Sequence, residues 1–154
     1  MPLLAVFIFG AMVGSFLNVC IFRLPKEESI VFPGSHCISC NHAIAWRDNI
    51  PLVSFFLLGR KCRYCAAKIS WQYVAVEFLT ACVFVLFYQT FGWSVKGGVY
   101  LVFTLTLIVE SAIDFRHRII PDTLTLPGIV LGLLLSTLFP LLQQCSKSGN
   151  LTPH

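Results

Sequence analysis

Four apolar runs, each about long enough to cross a ~30 Å hydrocarbon core, constrain this chain more than any other feature. They lie at 2–22, 73–91, 97–115 and 123–142. Only 12% of the 154 residues are charged, about half the roughly 25% of a soluble domain. The mean hydropathy is +0.79. These features predict an all-α polytopic membrane protein. The first run has no basic residues before it, and its charge, Arg23, follows it. A cleaved secretory signal has the opposite order, so residues 1–22 read as a retained first transmembrane helix. The apolar stretch at 50–59 is too short to span. It reads as an interfacial segment or a strip packed on other helices.

Charge gives the orientation. Nine of the eleven Lys and Arg fall in two loops, 23–72 and 116–122. Four spans put those loops on one side, and basic loops stay cytoplasmic. The net charge of +4 is therefore a topology signal, and nucleic acid is not expected as a partner.

The 23–72 loop carries Cys37-Ile-Ser-Cys40 and Cys62-Arg-Tyr-Cys65. Each pair offers two sulfurs from one tight turn, and two such turns brought together make a tetrahedral S₄ site suited to Zn²⁺. On a reducing side stable disulfides are not expected. Four sulfurs leave no open coordination position, so the zinc is expected to staple a ribbon-like loop that has little core of its own. Arg60, Lys61, Arg63 and Lys68 are expected to offset the charge of the thiolates. His36 and His42 flank the first pair but are not needed as ligands. Cys20, Cys82 and Cys145 read as small apolar fillers.

Three acids lie at membrane depth, where a charge costs at least ~2.5 kcal/mol on insertion scales. Glu110 and Asp114 are four apart and share a helix face. Two such carboxylates favour one protonated and one ionised acid. A plainer reading pairs Asp114 with Arg116, His117 or Arg118. Glu77 reads as a partly solvated acid near the start of its helix. Asp122, after Pro121, reads as the N-cap of the fourth helix. Gly10-x-x-x-Gly14 reads as a close helix contact. No sequence repeat is evident.

The stretches GSFLNVCIFRLP (14–25), CISC, GRKCRYC, ISWQYVAVEFLTA (69–81) and AIDFRHRIIPDTLTLPG (112–128) together resemble the bacterial type IV prepilin peptidases. The resemblance implies a multi-pass aspartic endopeptidase of the inner membrane. Such an enzyme removes the basic leader of type IV prepilins and type II secretion pseudopilins on the cytoplasmic side. Many members also methylate the new N-terminus from S-adenosylmethionine. Asp114, with Pro121-Asp122 completing the pattern, matches the family's first catalytic aspartate. The second sits in a Gly-x-Gly-Asp motif, which this sequence lacks. The 154 residues alone are therefore expected to be poorly active or inactive, as a truncated product, a pseudoenzyme or half of a site completed by another polypeptide, with a homo-oligomer or a completing chain as the expected protein partner.

The expected organisation is a first transmembrane helix at 1–22, a cytoplasmic tetracysteine zinc-binding loop at 23–72, a three-helix membrane portion at 73–143 and a polar tail at 144–154. The competing reading is a non-catalytic, zinc-stapled membrane module that binds pilin-like helices or secretion machinery.

Overall fold

A computed structural model describes residues 2–117, 125–126, 128–130 and 132–134. Residues 1–120 and 121–154 form two compact units. The described part of the second, 125–126, 128–130 and 132–134, is helical. The predicted fourth span, the Asp122 cap and Cys145 fall largely or wholly outside the described residues.

The first unit is built on helices α1 (Pro2–Arg23), α2 (Val53–Leu57), α3 (Trp71–Phe91) and α4 (Val95–His117). Three of them, all but α2, are long and apolar enough to cross a membrane. No strand forms among the described residues. The ends follow local chemistry. Pro2 opens α1, where its missing N–H would have had no partner. Ser70 caps α3 by accepting from the Gln72 N–H. Gly92, with φ of +57°, closes α3 by donating to the Tyr88 carbonyl. Ser94 accepts from the Gly97 N–H at 3.1 Å and starts α4.

α1 and α3 run antiparallel in very close contact. A Cβ on Gly10 would stand 2.8 Å from the Ala81 Cα, and one on Gly14 would stand 2.7 Å from the Glu77 Cα. The next step along this seam is a hydrogen bond, Asn18 Nδ2 to the Tyr73 carbonyl at 3.0 Å. Every fourth residue of α1 thus meets every fourth residue of α3 in reverse order, as two aligned helical stripes must. Phe7–Phe78 and Phe9–Phe84 edge contacts flank the seam. The small-residue reading of Gly10 and Gly14 is met directly.

α4 joins at the loop end. Ile113 is fully buried and Val109 nearly so. The Arg116 guanidinium lies 4.4 Å over the Phe22 ring, and Phe22 stacks on Tyr73 at 4.7 Å. The cysteine loop and the end of α4 therefore share one end of the bundle, as counting the spans implies. The stretch at 50–59 supplies α2. Phe55 is buried and sits 5.1 Å from Trp71, while Phe56 and Leu57 stay exposed.

At the seam, Gly14→Ala pushes a methyl into α3 backbone, which cannot yield as a flexible side chain can, and should cost about 1–3 kcal/mol. Thermal unfolding in detergent should show a lowered midpoint, with Gly98→Ala, where the added Cβ meets open space, as the control.

Candidate metal centre and the loop-end cavity

The two Cys-x-x-Cys turns have the same backbone, residue for residue. The Cys37 N–H donates to the His42 carbonyl and the Asn41 N–H to the Cys37 carbonyl. Likewise the Cys62 N–H donates to Ala67 and the Ala66 N–H to Cys62. Each turn is closed by an isolated antiparallel bridge, His36 with Ala43 and Lys61 with Lys68. Each also needs one left-handed residue, Asn41 at φ +57° and Ala66 at +56°. So a local structural repeat exists where the sequence shows none. Little beyond the cysteines is shared between the two copies.

The four sulfurs of Cys37, Cys40, Cys62 and Cys65 lie within 4.8 Å of one another. Cys37 Sγ and Cys65 Sγ are 3.7 Å apart. A tetrahedron with Zn–S bonds of about 2.3 Å has edges of about 3.8 Å, so the donor set fits. Backbone N–H donation at Cys40 lowers the Cys37 thiol to about 6. At Cys65 the Ala67 N–H pulls the other way, but desolvation and the Cys40, Cys62 and Cys37 thiols together push it up to about 12.

Two of the four cations expected to offset the sulfurs, Arg63 and Arg60, also hold other partners. Arg63 makes a forked pair with Asp48, Nε to Oδ2 at 2.8 Å and Nη2 to Oδ1 at 2.6 Å, which holds the Asp48 carboxyl below its usual range. Arg60 lies 4.6 Å over the Trp71 ring. His42 packs on Tyr64 with ring centroids 3.6 Å apart, joining the two turns, and is not a ligand.

The loop is tied to the membrane helices at two buried points. Arg23, 8% exposed, donates to the Ser29 and Gly34 carbonyls. Glu77, also 8% exposed, accepts the Leu52 N–H at 2.8 Å. This corrects the expectation of a partly solvated Glu77: the 50–59 stretch folds over it. Leu52 itself is strained, at φ 61° and ψ −49°. Its neighbours close an i to i+2 hydrogen bond, Val53 N–H to the Pro51 carbonyl at 2.6 Å, which makes the rare γ-turn with positive φ. Between loop and helices lies a cavity of about 590 Å³, lined in part by Ser15, Asn18, Tyr73, Glu77, Arg23 and Arg116.

Asp114 lies one turn beyond Glu110, near the end of α4, and is exposed. It does not line the cavity that holds Glu77. The Arg116 pairing is not found. Arg116 is turned to Phe22 and to Gln72 Oε1 at 3.3 Å. Arg118 and the side chain of His117 are outside the described residues. Sequence reasoning missed Asn18, although an amide inside an apolar helix, one turn after Gly14, was a readable signal.

This is a multi-pass membrane protein with a tetrathiolate site at the loop end of its helices. The bacterial peptidase A24 N-terminal domain matches residues 8–91, and the type IV leader peptidase family matches 101–148. Proteins named prepilin leader peptidase/N-methyltransferase are similar. The one from Myxococcus xanthus is 44% identical over 91% of this chain and 42% of its own. Those from Klebsiella pneumoniae and Pseudomonas aeruginosa are 40% and 36% identical, over 83% and 85% of this chain and 59% and 53% of theirs. The chain spans about half the length of these relatives. No solved structure matches it. The chain belongs to the bacterial peptidase A24 family of prepilin leader peptidases.

Two outcomes test the centre. Metal content of the purified chain should be near one zinc per chain and should fall when Cys62 and Cys65 become Ser. Ala66→Gly removes a left-handed alanine, so it should stabilise the second turn by up to about 1 kcal/mol and slow metal loss to a chelator.

Proposed function

We propose that the chain forms the metal-bearing half and one acid of a membrane aspartic endopeptidase that removes the leader of type IV prepilins and type II secretion pseudopilins. The carrying observation is Asp114. It matches the family's Asp…Pro-Asp pattern, sits at the loop end of α4 and makes no ion pair among the described residues. The chemistry needs two acids that share a proton. The ionised one draws a proton from a water, and the protonated one polarises the scissile carbonyl. Asp114 supplies one of them. The other is the aspartate of the family's Gly-x-Gly-Asp motif, which these 154 residues do not contain.

Zn²⁺ at Cys37, Cys40, Cys62 and Cys65 is structural, since four thiolates leave it no open position. The relatives' names include N-methyltransferase, and S-adenosylmethionine is the methyl donor to the freed N-terminus. The basic loops set the loop end on the cytoplasmic face of the inner membrane. That location suits a substrate with a basic leader inside and an apolar helix in the bilayer. The exposure of Asp114 favours one other reading, a non-catalytic module that binds pilin-like helices.

The two readings separate on one experiment. A prepilin is co-expressed with the chain, or with the chain extended by its downstream coding sequence, and leader removal is scored by gel shift. Asp114→Asn should cut the activity of the active form about a hundredfold or more. Unchanged cleavage overturns Asp114 as a catalyst.

A further inference from the structure

The loop-end cavity carries a site that cleavage does not use. Its polar end is made of acceptors. Asn18 is 2% exposed and spends its Nδ2 on the Tyr73 carbonyl. Its Oδ1 is buried and has no partner among the described residues. Glu77 stands opposite Gly14, one turn from Tyr73 along the same seam. One of its oxygens takes the Leu52 N–H, its side chain also hydrogen-bonds Ser15, and the carboxylate keeps lone pairs to accept more. Buried acceptors of this kind cost about 1–3 kcal/mol each when unmet, and more when charged. The cavity's three arginines do not meet them. Arg23 is spent on Ser29 and Gly34, Arg63 on Asp48, and Arg116 on Phe22 and Gln72.

A carboxylate and a bare amide oxygen on residues that line one cavity call for a cationic donor with several N–H groups. We propose that this end of the cavity binds a primary ammonium group, held between the Glu77 carboxylate and Asn18 Oδ1. The inference rests on the methyl-transfer reading, which offers two sources of such a group: the freed amino terminus of the processed substrate, and the amino-acid head of S-adenosylmethionine. The strained turn at Leu52 fits this role. Its N–H fixes one Glu77 oxygen, so the carboxylate is oriented before any ligand arrives.

The test is binding to the zinc-loaded chain in detergent, by calorimetry, with two pairs of probes. One pair is a synthetic apolar peptide with a free amino terminus and its N-acetylated twin. The other is S-adenosylhomocysteine and methylthioadenosine, which lacks the amino-acid head. In at least one pair the amine-bearing probe should bind roughly tenfold tighter or more. The pair that shows it identifies the source. Glu77→Gln keeps an oxygen for the Leu52 N–H and removes the charge. It should erase that advantage and leave the twin's affinity unchanged, with metal content confirming the fold. Equal binding within both pairs by the wild type, which depends on no variant's folding, overturns the site. So does an undiminished preference in a metal-replete Glu77→Gln chain. N-methylation of the mature pilin by the extended, cleaving form, read by mass spectrometry, separates the failure of this site from the failure of the methyl-transfer reading. Its absence beside a kept amine preference overturns methyl transfer and supports the site. Its presence with no amine preference overturns the site.

Discussion

The approach of α1 to α3 through two glycines sets the rest of the unit. With no side chain at Gly10 or Gly14, the α1 backbone rests on the Cα atoms of Ala81 and Glu77. In a bilayer such contact replaces a hydrophobic drive between helices, because lipid is as apolar as leucine. The contact also fixes a register. Once Gly14 faces Glu77, Asn18 must face Tyr73, and Phe22 must reach the same ring from the next turn. The polar and aromatic residues at the loop end stand where they do because two turns away there is room for nothing but hydrogen.

The cysteine loop has little apolar mass to bury, so its order comes from other sources. The four sulfurs draw two turns together, the His42–Tyr64 stack and the Asp48–Arg63 fork brace them, and two side chains reach across from the helices. Arg23 and Glu77 are both costly to bury alone. Each is satisfied by main-chain groups of the loop, carbonyls for the cation and an N–H for the anion. The loop thereby gains its anchors, and the helices lose two exposed charges at the edge of the apolar layer. The strain at Leu52 is offset by the hydrogen bond that its N–H makes to the buried Glu77 carboxyl group.

Much of this was legible in the chain. The spans, the small-residue seam and the cysteine cluster rest on local patterns, namely run length, four-residue spacing and ligand pairs. The described helices and the S₄ geometry follow them closely. What was not legible depends on distant parts meeting. Nothing around Glu77 says that residue 52 will fold over it, since the partner is a backbone N–H in a turn with no glycine to announce it. The contacts of Arg60 and Arg63 were hidden for a similar reason. Charge suggested only that they offset the sulfurs, and the aromatic faces at Trp71 and Phe55 and the acid at Asp48 that they meet come from other parts of the chain. The repeat of the two turns was hidden because hydrogen bonds, not side chains, define it.

The acids divide by environment, and that division bears on how two reactions share one family. Glu77 is buried and hydrogen-bonded where the loop folds over the helices, so its carboxyl group is fixed in place. Among the described residues Asp114 is exposed and makes no ion pair. A hydrolytic acid needs a water and a second carboxyl within reach, and an open surface admits both. A group that only has to recognise an ammonium needs the reverse, namely water excluded and a geometry set beforehand. On the proposed reading, cleavage and amine recognition therefore use different faces of the loop end, and the polypeptide released at Asp114 must slide or turn before its new terminus meets Glu77.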